Sequence, residues 1–159
     1  MPESPGAERF RFLYREAEGV IDRGVWARAS VRPVGIALVM TLIWIAIAPD
    51  APRDLNRESF IDARVIAIHA YALVYAFALI FCAIAEYFAS AKRFADRGKP
   101  RSLAGLLPFS LFLAGAANWY QPRSEGIMPG WLTYAFDALA IAIIVWNVVE
   151  LGFGESRKP

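Results

Sequence analysis

One histidine and one cysteine are all that the 159 residues hold of the two most versatile metal-ligating side chains. With Cys82 alone, an intramolecular disulfide and a C-x-x-C metal site are both excluded. With His69 alone, neither an H-E-x-x-H zinc site nor the paired axial imidazoles of a b-type haem can form within one chain. There is no glycine-rich phosphate loop and no G-x-S-x-G elbow. The net charge of +2 is too small to suggest a nucleic-acid partner. No internal repeat suggests an inverted-repeat transporter.

Charge is also scarce where it matters most. The chain is 57% hydrophobic and 20% charged, against 45–50% apolar in an ordinary soluble domain. The charges are segregated: residues 34–48, 65–85, 103–119 and 131–149 are nearly free of them, with Asp137 interrupting the last run. A hydrocarbon core of ~30 Å needs about 20 apolar residues in helix. The runs therefore predict an all-α integral membrane four-helix bundle, with spans at about 33–49, 63–88, 103–120 and 131–151. A soluble bundle would show a charged face on each helix, and the second and fourth runs show none. Ala46-Ile47-Ala48 resembles a signal-cleavage site, but the long preceding segment and Pro49 after it argue for a retained helix.

Orientation follows from lysine and arginine. Thirteen of the seventeen fall in the N-terminal segment, the connection between spans two and three, and the C-terminal tail. The other side holds Arg53, Arg57, Arg64 and Arg123. Basic residues stay inside, so both termini are expected in the cytoplasm. Arginine outnumbers lysine and alanine is abundant, which suits a GC-rich bacterial genome and hence a bacterial cytoplasmic (inner) membrane. Trp44, Trp119, Tyr120 and Trp131 are expected at the outer boundary, and Trp26 and Tyr87 at the inner one.

Residues 1–32 form the N-terminal segment, 33–153 the membrane domain and 154–159 the tail. Phe10, Leu13, Tyr14, Ala17, Ile21 and Val25 recur at helical spacing, opposite Arg11, Arg15, Glu18 and Asp22. This pattern predicts one amphipathic helix along the cytoplasmic interface, either resting on lipid or docking on a partner subunit. Pro33 is expected in the first turn of the first span. Asp54 is a candidate N-cap beyond Pro49 and Pro52, in the first outer loop.

Few polar groups remain to carry chemistry. His69 lies ~6 Å below the start of the second apolar run and Asp137 ~9 Å below the start of the fourth, at 1.5 Å per residue. Asn118 ends the third span in the same layer. Stripes of small and polar residues predict inward faces: His69, Ala72, Ala76, Ala83 and Glu86 on the second span; Ala104, Pro108, Leu111, Gly115 and Asn118 on the third; Thr133, Asp137, Ala140, Ile144 and Asn147 on the fourth. A membrane carboxylate persists only when paired, protonated or wetted. Asp137 is therefore expected to bond His69, Thr133 or a tyrosine, to meet a partner's polar group, or to serve a proton or substrate site. Glu86 and Glu150 are expected at the inner headgroups, near Arg93 and Arg97.

The short loops leave no room for a separate catalytic domain, and the catalytic inventory is poor. The balance favours a non-enzymatic role: a small accessory or assembly subunit of a larger membrane complex, in contact with lipid and with other subunits or copies of itself. The alternative is a membrane-embedded enzyme or carrier for a lipophilic substrate such as a quinone or isoprenoid. It would use His69 and Asp137 as a proton-transfer pair, with Asn118, Thr133, Tyr134 and Tyr71 lining the substrate or lipid site. A small proton-coupled transporter using Asp137 is the third reading. No metal site and no particular cofactor follow from the sequence.

Overall fold

A computed structural model of the chain describes residues 4–50 and 62–156. Five α-helices account for nearly all of it: α1 (Pro5–Tyr14), α2 (Arg23–Ile47), α3 (Ala63–Asp96), α4 (Leu106–Tyr120) and α5 (Gly130–Phe153), with short 3-10 turns at Ala48–Asp50, Arg101–Gly105 and Gln121–Arg123. There is no strand among the described residues. Four helical segments, Arg23–Ile47, Ala63–Asp96, Arg101–Arg123 and Gly130–Phe153, are long and apolar enough to cross a membrane. The chain is a multi-pass membrane protein of all-α architecture. Asp54, Pro52, Arg53, Arg57, Arg157 and Lys158 lie outside the described residues.

α2 packs along α3, and α4 along α5, as two antiparallel hairpins. The starts of α2 and α4 and the finishes of α3 and α5 share one end with α1, the terminal end. Contact between the hairpins is sparser than within them. It includes the stack of Phe94 on Trp146 and the approach of Gly152 to the Trp26 ring, both at the terminal end.

The buried core is at that end too. Leu13, Ile21, Trp26, Ala29, Ala89, Ala91, Phe94, Ala104 and Leu151 form one cluster, whereas Leu73, Val74, Phe77 and Phe81 in the middle of α3 are exposed. The reason is the change of solvent. α3 has 34 residues, a length of ~51 Å, so about 20 Å of it extends beyond a ~30 Å hydrocarbon layer. Burial from water is favourable there, while within lipid an apolar surface gains nothing by being covered.

The N-terminal segment departs from the sequence expectation. The single helix expected through Phe10–Val25 is broken after Tyr14, and the chain turns at Gly19, whose φ is +95°. A Cβ at this glycine would lie 2.7 Å from the Phe12 ring, so the turn needs glycine twice over. The segment packs on α3 of its own chain: the Lys92 ammonium donates to the Glu16 carbonyl and lies 5.0 Å from the centroid of the Phe12 ring. The apolar stripe expected to face lipid or a partner subunit thus supplies Leu13 and Ile21 to the internal core.

The second departure is Pro33, which lies buried inside α2 rather than in a first turn. α2 starts ten residues earlier than expected because Asp22 caps it, accepting from Val25 N at 2.8 Å. Proline cannot donate to the carbonyl four residues back. That carbonyl belongs to Ala29, and the Tyr14 hydroxyl donates to it at 2.9 Å. The docked N-terminal segment therefore satisfies the backbone group that Pro33 leaves unpaired.

Two further expectations are corrected. The buried face of α4 is Ser110, Ala114 and Ala117, rotated from the expected stripe, because packing on α5 sets the face rather than residue size alone. Trp26 is no interfacial anchor: it is buried and donates Nε1–H to Ser90 Oγ at 3.2 Å. Trp119 and Trp131, by contrast, are largely exposed at the far end.

Tyr14→Phe is expected to cost on the order of 1–2 kcal/mol, the loss from a backbone carbonyl left without its donor; chemical unfolding in detergent measures it, and Pro33→Ala should remove most of the difference. The Val25 N–H, with Gly24 N–H and the Arg28 guanidinium, holds the Asp22 carboxyl below the usual carboxylate range, against an opposing desolvation cost. A lowered folded value means the cap's contribution is full above the usual carboxylate pKa and is lost as pH falls through the lowered one. Asp22→Asn should flatten that acid limb in a titration of helix content.

Candidate functional site

The far-end polar groups are brought into two separate arrangements. On the α4–α5 hairpin, Asn118 Nδ2 donates to Asp137 Oδ1 at 2.8 Å and to Ala114 O at 3.0 Å. The Asp137 carboxylate, half-buried on α5, thus has a neutral amide as its partner. Thr133, one turn before it, has a buried Oγ1 with no hydrogen-bond partner. Tyr134 is 76% exposed and points away from the hairpin.

On the α2–α3 hairpin, His69 Nδ1 lies 2.8 Å from the Val65 carbonyl of its own helix. The ring is exposed, and no hydrogen bond joins it to Asp137. His69, Ala76, Ala83 and Tyr87 share one face of α3, being seven, seven and four residues apart. Ala83 and Tyr87 line a hollow of about 380 Å³ against Pro108 of α4, with Ile80, Ile84 and Phe88. His69 therefore lies on the same face of α3 as this hollow, about 20 Å nearer the far end. Ala76 and Ile80, between the two levels, are exposed as well.

Tyr71 is used within the α2–α3 seam. Its hydroxyl donates to Met40 O at 2.7 Å, and its ring stacks on Tyr75, which stacks on Trp44. The Tyr75 hydroxyl also meets Thr41 Oγ1 at 3.0 Å. This ladder closes the seam from the far side and leaves Tyr71 Oη committed.

A second constellation, near the terminal end, carries the most heavily buried carboxyl. Glu86 is only 8% exposed. Ser30 Oγ on α2 and Ser90 Oγ on α3 both donate to its Oε1 at 3.0 Å. Trp26 Nε1 donates to Ser90 Oγ, which fixes the direction of the serine's own hydroxyl proton. Glu86 Oε2 is buried with no partner. The expected neutralisation of Glu86 by Arg93 or Arg97 does not occur, because both arginines are committed to α5. The one signal in the sequence was Ser90 four residues after Glu86; nothing in periodicity showed that Ser30 and Glu86 meet.

Arg93 is buried, donating Nε–H to Leu151 O at 3.0 Å and also bonding Gly154 O, Asp96 and Ser156. Arg97 bonds the backbone and carboxylate of Glu150, and Lys99 joins the same carboxylate. The expected Glu150–arginine pairing is present, and its partner is Arg97. These cations cap the last turn of α5, where unpaired carbonyls and the negative end of the helix dipole meet. Among the described residues no group of three or more histidine, cysteine, aspartate and glutamate side chains could hold a metal ion.

The Asn118–Asp137 bond should show a coupling of about 1 kcal/mol in a double-mutant cycle of Asn118→Ala and Asp137→Ala, the scale found for interhelical hydrogen bonds in lipid. A coupling near zero in unfolding measurements would mean the pair is solvated independently. Comparison of the chain with protein-family models, curated proteins and solved structures finds no match.

Proposed function

We propose that this chain is a small accessory or assembly subunit of a larger complex in a bacterial cytoplasmic membrane, with both termini in the cytoplasm. The observation that carries the proposal is His69. Its imidazole is exposed on an otherwise apolar helix face, one ring nitrogen is used by its own backbone and the other has no partner among the described residues. A polar nitrogen facing hydrocarbon costs free energy that a partner's donor or acceptor removes. The two hairpins pack sparsely on each other, which suits entry of a helix from a neighbouring subunit. The orientation rests on the basic residues: Arg9, Arg15, Arg23, Arg28, Arg32 and Arg101 are all exposed at the terminal end.

One observation favours the second reading, a carrier or enzyme for a lipophilic substrate. The hollow against Pro108 is apolar, lies on the His69 face of α3, and is of ligand size. On that reading a quinone-like or isoprenoid molecule lies between the hairpins, and His69 and Asp137 act on it without touching each other.

A photo-crosslinking side chain placed at position 69 and activated in native membranes distinguishes the two. The accessory reading expects a discrete protein adduct, and co-purification in mild detergent that His69→Leu abolishes without lowering the stability of the isolated chain. A particle of the chain's own mass, carrying a lipophilic molecule and cross-linking to it, would overturn that reading in favour of the carrier.

A further inference from the structure

The hydrogen-bond account around Glu86 does not close. The cluster has three donors: the Trp26 indole N–H, the Ser90 hydroxyl and the Ser30 hydroxyl. The first is spent on Ser90 Oγ and the other two on Glu86 Oε1. Glu86 Oε2 receives none, although it is shut off from solvent. No ammonium or guanidinium is bonded to it. Lys92 is turned to Glu16 O and Phe88 O, Arg93 to the end of α5, and Arg97 and Lys99 to Glu150. What the cluster offers is oxygen: Oε2 with both lone pairs, Ser30 Oγ with two and Ser90 Oγ with one, contributed by two helices.

An ionised Glu86 leaves one buried negative charge without a counter-charge, which a low-dielectric site does not tolerate. Protonation of Oε2 would not complete the cluster. It would remove the charge, but both serine protons already point at Oε1 and Oε2 has no hydrogen-bond partner, so the new proton would need a serine hydroxyl to turn or a water to take it. A water molecule alone would bond Oε2 but supply no charge. A small cation does both: it neutralises the carboxylate and takes hard oxygen ligands, with water completing its shell.

We propose that Glu86, Ser30 and Ser90 form a binding site for a monovalent cation of sodium size between α2 and α3. Glu86 supplies the charge through Oε2, and the two serine oxygens supply neutral ligands. Trp26 is a positioning residue that holds Ser90 through its indole N–H. The site ties α2 to α3 one to two turns from the docked N-terminal segment, so occupancy stabilises the terminal end of the bundle. It is independent of the accessory-subunit reading, since it needs no partner chain.

The test uses the full chain in mild detergent, unfolded thermally in sodium chloride and in choline chloride at equal ionic strength. Mass action predicts a midpoint about 5 °C higher in sodium at a concentration well above the dissociation constant. Glu86→Gln should abolish the difference and Ser30→Ala should reduce it. Glu150→Gln removes an acid already paired with Arg97 and Lys99, and should retain it. If Glu86→Gln fails to fold, calorimetric titration of the wild-type chain with sodium, and with potassium as competitor, still decides the matter: saturable heat supports the site. Equal midpoints in sodium and choline, or a sodium shift that survives Glu86→Gln, would overturn it.

Discussion

Two adjacent cations near the end of α3, Lys92 and Arg93, hold this structure together. Neighbouring residues on a helix point about 100° apart, so one reaches the N-terminal segment and the other the end of α5. Lys92 donates to the Glu16 carbonyl. Arg93 takes the Leu151 and Gly154 carbonyls, with Asp96 and Ser156 closing the circle. Both side chains are fully buried. They are tolerated because each is surrounded by oxygens that would otherwise be unpaired: a turn of backbone in one case and a helix C-terminus in the other. Removing Lys92 would strand the Glu16 carbonyl, and removing Arg93 would strand the Asp96 carboxylate as well as the carbonyls at the end of α5.

The rest of the architecture follows from where water stops. Toward the terminal end the helices extend past the hydrocarbon, and there the chain builds the compact apolar cluster of Trp26, Ala89, Phe94 and Leu151. Along the lipid-facing length only 6–22% of each apolar window is buried, so packing there is left to small residues, the aromatic ladder of Trp44, Tyr75 and Tyr71, and single polar bonds. A bundle fastened firmly at one end is packed more loosely elsewhere, and the exposed His69 lies toward that looser end. The same fastening explains Glu86. It lies where the tight end begins, shielded from solvent by Trp26 and the serines, and beyond the reach of cations already committed to capping α5.

Much of this was legible in the residues. Four charge-free runs correspond to four helices long enough to cross; the fourth agrees with its expected limits to within two residues, whereas the second starts where expected but runs eight residues further, to Asp96. Depth was legible too: Asn118 and Asp137 were placed in one layer from rise per residue, and they bond. Facing was less so. The stripe proposed for α4 was rotated away from the true face at Ser110, Ala114 and Ala117, since small residues occur on more than one side. The N-terminal periodicity was real, yet it marked a surface for the chain's own core, and the break at Gly19 was hidden within it.

The sequence by itself determined the solvent of each segment, because hydropathy and charge are additive along a chain and a bilayer sorts them by length. It also marked Asp137 as a costly group, while the costs of Glu86 and of Pro33 appear only once they are seen buried in the structure. Only the tertiary structure decided how each cost was met. Tyr14 answers Pro33, Asn118 answers Asp137, and Arg93 leaves Glu86 in order to close α5. Those pairings join residues fifteen to fifty-eight positions apart, and hydrogen bonds are directional at ~3 Å. Composition and period carry no information at that range; it exists only once helices are placed side by side.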